Sequence, residues 1–242
     1  MTTLTRIIVT SIISLLMLSC NFSMSLGEGV DGNGNVASKE RTISSDFDGI
    51  KVSQGIDLYI TQANDISLTV EADENLHDLI MTEVADGVLK IYSTENIRRA
   101  TSKKVMLNIN TVSSIKATSG SDVYSANTIE VANLELNSTS GAEIELAVKT
   151  ETLECHSTNG SDIKLSGSTK TLTASATSGS DIDASDLIAE TSNVKATSGA
   201  DISVNTSKAL TAKATSGGDI RYSGNPEKVE KSDTSAGSVR QQ

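Results

Sequence analysis

Acidic side chains recur at a near-constant interval through the second half of this 242-residue chain, at Asp122, Glu143, Asp162, Asp181, Asp201 and Asp219. Each follows by two residues the glycine of a Ser-Gly-Ser-Asp motif or a close relative, at Gly120, Gly141, Gly160, Gly179, Gly199 and Gly217, with a degenerate copy at Gly237. Stacked in register, such acids would lie about 4.8 Å apart, where like charges in water repel by roughly 0.9 kcal/mol per pair. Divalent-cation binding would offset that repulsion, because carboxylates and corner carbonyls are the hard oxygen ligands that Ca²⁺ takes. Asp122, Asp162, Asp181, Asp201 and Asp219 are therefore the candidate ligands. Against this, the calcium-binding β-roll needs a glycine-rich nonapeptide with its own acid, and one acid per twenty residues is sparse. Solvated corner acids that bond local N–H groups and keep a ladder soluble explain the column more economically, so no metal and no cofactor are assigned.

Other chemistry is thin. His77 and His156 are isolated in sequence and read as solvated, and no serine has a base at motif spacing. A threonine column at Thr118, Thr139, Thr158, Thr177, Thr197 and Thr215 is expected to face outward as ordinary strand surface, although such an array can also order water. Arg98, Arg99, Lys103 and Lys104 mark a basic loop, read as solvated. No catalytic residues emerge, and the chain is read as a non-enzyme.

The elements that must position these columns follow from the period. A repeat near twenty residues means a solenoid. Five residues before each glycine stand Ile115, Leu136, Cys155, Ala174, Val194 and Ala212, and three before stand the small Ala117, Ser138, Ser157, Ala176, Ala196 and Ala214. Three after come Val123, Ile144, Ile163, Ile182, Ile202 and Ile220. Alternation of this kind is a strand with one buried face, so each coil reads strand, glycine corner, strand. With no Trp, two Phe and four Tyr, the interior must be narrow and aliphatic. A right-handed parallel β-helix with coils of about twenty residues is the expected fold. Gly55, with Ile50 and Val52 before it and Asp57 and Leu58 after, reproduces the frame; its 65-residue distance from Gly120 predicts about three decorated coils between them. The stretch 75–81 is expected to form a helical turn.

The N-terminus sets the address. An apolar run from Ile7 to Leu18 is too short to span a bilayer and reads as an export signal. Met17-Leu18-Ser19-Cys20 resembles the lipobox of bacterial lipoproteins, which implies lipid attachment at Cys20 and a membrane anchor. Cys155, the one other cysteine, then has no disulfide partner and should be buried. The expected organisation is a signal peptide over 1–19, a flexible tether over 20–43, the β-helix over 44–235 and a tail over 236–242. A formal charge of −11 disfavours nucleic-acid binding, which needs cationic side chains to displace counterions.

Together with the lipobox and the repeated Ser-Gly-Ser-Asp-Ile, the segments 47–50 (FDGI), 55–60 (GIDLYI), 70–76 (VEADENL) and 84–91 (VADGVLKI) make the chain resemble the head GIN domain of auto-transporter adhesins, over roughly residues 46–222. The resemblance implies a right-handed β-helix in secreted or envelope proteins of Gram-negative bacteria and no catalytic residues. The expected function is an adhesion or scaffolding module on an outer-membrane lipoprotein, facing the periplasm or the cell surface, with a protein or glycan as partner. The alternatives are a carbohydrate-binding or carbohydrate-active β-helix, and a periplasm-facing structural protein. Open solenoid ends leave strand edges that end-to-end homo-oligomers could cover.

Overall fold

A computed structural model describes residues 29–234 and 236–242; the signal segment and Cys20 lie outside the described residues. The first strands are β1 (Val30–Asp31), β2 (Val36–Arg41), β3 (Gly49–Val52), β4 (Asp57–Gln62), β5 (Ser67–Asp73), β6 (Ile80–Ala85), β7 (Val88–Ser93), β8 (Ile97–Arg99) and β9 (Lys103–Ile109). The repeat region supplies β10 (Ser114–Thr118), β11 (Asp122–Ser125), β12 (Ile129–Glu130), β13 (Asn133–Thr139) and the long strands β14 (Glu143–Thr158), β15 (Asp162–Thr177), β16 (Asp181–Thr197) and β17 (Asp201–Thr215). The chain closes with β18 (Asp219–Ser223), β19 (Lys228–Thr234) and β20 (Ser238–Gln241).

The result is a parallel β-helix of about seven turns. Segments before each glycine stack into one wall, through Leu136–Cys155–Ala174–Val194–Ala212. Segments after it stack into a second wall, through Ile144–Ile163–Ile182–Ile202–Ile220. These inward columns are buried, and Cys155 lies among them as a free, fully buried thiol. Burial pushes its pKa up, and Glu154 adds to the shift.

Each corner uses two consecutive left-handed residues, such as Ser178 (φ 60°) with Gly179 (φ 66°) and Asn159 (φ 58°) with Gly160 (φ 66°). A Cβ on Gly179 would meet nothing within 4 Å, so φ alone accounts for this glycine. The next residue turns inward. Ser121, Ser161 and Ser180 are buried there, and their hydroxyls bond Val52 O at 3.2 Å, Ser138 O at 2.8 Å and Ser157 O at 2.8 Å in the coil below. The interior is narrow enough at these corners that a serine satisfies itself on backbone.

The first half departs from the expected succession of three coils. β10 pairs directly with β3, and β11 with β4, so the Gly55 coil lies immediately beneath the Gly120 coil. β7 and β9 pair on the far sides of β3 and β4 and form the terminal coil. β5 runs antiparallel to β9 and β6 antiparallel to β7. These strands close the end of the solenoid: Leu68, Val70, Ala72, Leu76 and Ile80 are fully or almost fully buried and cover apolar interior that a bare end would expose to water. The helical turn expected over 75–81 is reduced to a 3₁₀ turn at Glu74–Leu76; β6 has already begun at Ile80.

Two boundary expectations are corrected. Residues 30–31 and 36–41 of the expected tether are β1 and β2, the latter antiparallel on β5. The Arg41 guanidinium donates to His77 O at 2.6 Å and Ile80 O at 2.9 Å, which fastens β2 to the cap. Asp73 secures the preceding loop, its carboxylate accepting from Gly34 N, Thr101 N and Ser102 N at 2.8–3.0 Å. At the other end, residues 238–241 of the expected tail are β20, parallel to β18; the ladder still offers them backbone partners although their acid has been replaced by Ser238.

Candidate functional site

The register brings the acids together. Asp57, Asp122, Glu143, Asp162, Asp181, Asp201 and Asp219 are successive Cα partners on the second wall. Lys104 stands beside Asp57 at one end. At the other, the Ser238 hydroxyl donates to the Asp219 carboxylate. The corner glycines Gly55, Gly120, Gly141, Gly160, Gly179, Gly199 and Gly217 all have positive φ, which positions each acid two residues on.

The ladder is electrostatically uneven. Burial raises the Asp57 carboxyl above its usual range, against the pull of Lys103 and Lys104. Asp122 is raised by burial and then by Asp57, and Glu143 by burial and then by Asp122. Beside them Tyr59 and Tyr124 stack at 5.3 Å between centroids, and burial with the nearby acids pushes the Tyr124 hydroxyl up to about 12. The acids stand in single file, one per coil, and among the described residues no three His, Cys, Asp or Glu side chains are grouped to hold a metal ion.

The threonine column is half-exposed and in register from Thr118 through Thr215 to Thr234. The histidines part company. His156 is half-exposed and meets Glu154 Oε1 at 2.9 Å. His77, expected to be solvated, is buried because β2 covers it, with Nε2 3.0 Å from Ala37 O. The four residues expected to form a basic loop lie instead on strands, Arg98 and Arg99 on β8 and Lys103 and Lys104 on β9; Arg98 pairs with Asp31 at 2.6 Å and Lys104 lies 3.9 Å from Glu71. Four before each glycine the repeat frame also aligns Lys51, Lys116, Lys195 and Lys213, which share one outward column of the first wall with His156.

The fold and its repeat place the molecule among the parallel β-helix proteins, and a family comparison narrows that class. Residues 46–226 match the family described as "Putative auto-transporter adhesin, head GIN domain"; the chain belongs to this family. Among solved structures, a "putative adhesin" of Bacteroides fragilis superposes with a TM-score of 0.81 at 20% identity, covering 88% of this chain and 100% of that one. A "putative adhesin" of Parabacteroides distasonis gives 0.73 at 26% identity, covering 89% and 100%. A "putative lipid binding protein" of the same species gives 0.73 at 24%, with the same coverage. No protein of curated function matches the chain.

Proposed function

We propose that this protein is a non-enzymatic cell-envelope lipoprotein, anchored through Cys20 at the outer membrane, whose β-helix presents a polar wall for adhesion or scaffolding. Family membership supports the adhesive role. The observation that carries it is the register: the outward threonines form an unbroken column from β13 to β17 and the outward acids from β14 to β18. Such a surface suits a repeating or extended partner, a protein or a glycan, better than a compact substrate. For a lipid ligand the support is weaker, since the exposed large apolar side chains among the described residues are Val36 and Ile188, on β2 and β16, and they build no groove for an acyl chain.

Protease shaving of intact cells, combined with attachment assays on a deletion strain, tests the reading. Cleavage on intact cells with loss of attachment is the expected result. Protection until the outer membrane is opened would favour the periplasm-facing structural role. Release of sugar from a polysaccharide would favour the carbohydrate-active one.

A further inference from the structure

The lysines of this protein fall into two populations. Lys149, Lys164, Lys170 and Lys208 each meet a glutamate one coil away, at 3.0, 3.0, 2.5 and 2.5 Å. The first-wall column behaves otherwise. Lys90, Lys51 and Lys116 are Cα partners on the adjacent strands β7, β3 and β10, and Lys195 and Lys213 are partners on β16 and β17. Among the described residues, none of these five has a carboxylate within 4.0 Å. From Lys90 to Ser232 the column contains Lys, Asn, His and Ser and no acid, in a chain with 31 Asp and Glu. The cross-strand neighbour of Lys90 is Glu83, but Tyr92 engages it, donating its hydroxyl to Glu83 Oε1 at 3.4 Å. Lys51, Lys90, Ser53 and Tyr92 line an open cleft of roughly 250 Å³, whose wall Glu83 and Ile91 complete. The Glu83 charge stays at the Lys90 end, so the ammonium groups of Lys51 and Lys116 are the ones free of a facing acid.

We infer that this face docks a linear anionic polysaccharide, laid along the solenoid axis with carboxylate or sulfate groups over the Lys90–Lys51–Lys116 triad and again over Lys195 and Lys213. The inference rests on the adhesive reading above and names its partner. Three stacked ammonium groups repel one another, and an anion above them relieves that repulsion. The charged column is one residue wide. On one side Ser53, Tyr92, Thr118, Thr197 and Thr215 stand two residues on from its lysines, with hydroxyls that can bond sugar hydroxyls. On the other, Glu135 and Glu154 are engaged by Asn137 and His156, between the two lysine groups. A duplex or an anionic bilayer is broader and would also meet the acid ladder around the corner, on a protein of net charge −11. Single-stranded nucleic acid binds through stacked aromatic platforms, and of the described tyrosines only Tyr92 lies on this face.

The test uses the full-length chain with heparin, polygalacturonate and neutral dextran as probes at low ionic strength, and oligo-dT and phosphatidylglycerol vesicles as competing classes. Wild type should bind heparin or polygalacturonate and not dextran, with affinity falling as salt is added. The K51Q/K90Q/K116Q variant should lose about tenfold in affinity, whereas K149Q/K170Q/K208Q should keep it, both variants melting as wild type does. Absence of binding to both polyanions, equal losses in the two variants, or tighter lysine-dependent binding to oligo-dT or vesicles would each overturn the inference. Cell attachment separates it from the broader reading. If wild type attaches and the triad variant attaches equally, the polysaccharide site fails and adhesion stands; if wild type does not attach, adhesion itself fails.

Discussion

Asp57 and Asp122 are lateral neighbours on adjacent parallel strands, although 65 residues separate them. The chain lays down the Asp57 coil, builds the whole cap and terminal coil, and only then returns to set Asp122 beside it. At this end of the ladder Asp57, Asp122 and Glu143 all have raised pKa values, with burial as the leading cause in each.

A pH dependence with a definite sign follows from those raised values. A carboxyl raised on folding binds more protons in the folded than in the unfolded state, so stability rises as pH falls from neutral through the raised value, and the gain ends near the ordinary value of about 4. Asp73 acts in the opposite sense. Burial pushes its carboxyl up, but backbone N–H donors, including those of Gly34, Ser102 and Thr101, outweigh that and hold it below its usual range. Glu151 and Glu190 are held low by Lys170 and Lys208. What these three contribute is present above the ordinary value and lost as pH falls through their depressed values. Melting curves should therefore peak in the mildly acidic range, above about pH 4. Asp122→Asn should stabilise by about 0.5–1 kcal/mol near pH 7, by removing a partly buried charge and, secondarily, its screened repulsion from neighbouring acids, and should change little near pH 4.

Two glycines should respond very differently to alanine. At Gly179 an added methyl meets nothing within 4 Å, so Gly179→Ala should cost about 1 kcal/mol, the left-handed backbone penalty alone. At Gly167 (φ 106°) the Cβ would fall 2.1 Å from Val148 O, and the expected loss is about 3 kcal/mol or more. Conversely, Ser178→Asn should stabilise by about 0.5 kcal/mol, because Asn accepts left-handed φ more readily than Ser and already occupies the matching corner at Asn159. Chemical denaturation of the three variants measures all of this.

Cys155 should be inert while the protein is folded. Its side chain is fully buried and burial raises the thiol pKa, so alkylation has to wait for unfolding. Peptide mass spectrometry should show modification at least about a thousandfold slower in buffer than in denaturant. Cys155→Ala should cost only about 1 kcal/mol, since the next coil already carries Ala174 at the partner position.

Wherever coils follow one another in sequence, the repeat made the structure legible: glycine corner, inward Ile or Val, outward acid. What escaped was order and edges. Gly55 matched the frame, but strand pairing is non-local, and nothing in the spacing distinguishes three stacked coils from one coil plus an antiparallel cap. β2 (VASKER) is exposed along most of its length, so it has no apolar alternation to read, and its place depends on backbone pairing and on Arg41. His77 looked solvated because the strand that covers it was itself unrecognised. The lysine column was visible in the frame at four before the glycine but went unread, because residue type varies along it where the acid and threonine columns repeat.

Charged side chains stand at inward register positions in the last described coil. In β19, Lys231 and Asp233 are the partners of Ala212 and Ala214, which are buried, so charges occupy the inward positions of the final turn. Lys231 Nζ lies 4.7 Å from the centroid of the Tyr222 ring and covers the core's open end with an ammonium group. A second solenoid stacking here would have to bury both charges, which costs several kcal/mol per ion unless each finds a partner, and inward charges on an edge are a known guard against such pairing. The C-terminal end should therefore oppose end-to-end association. The full-length chain should sediment as a monomer, and K231V/D233V should form concentration-dependent oligomers. A wild-type protein that already associates, and does so no more strongly when both charges are removed, would show that these side chains are not the guard.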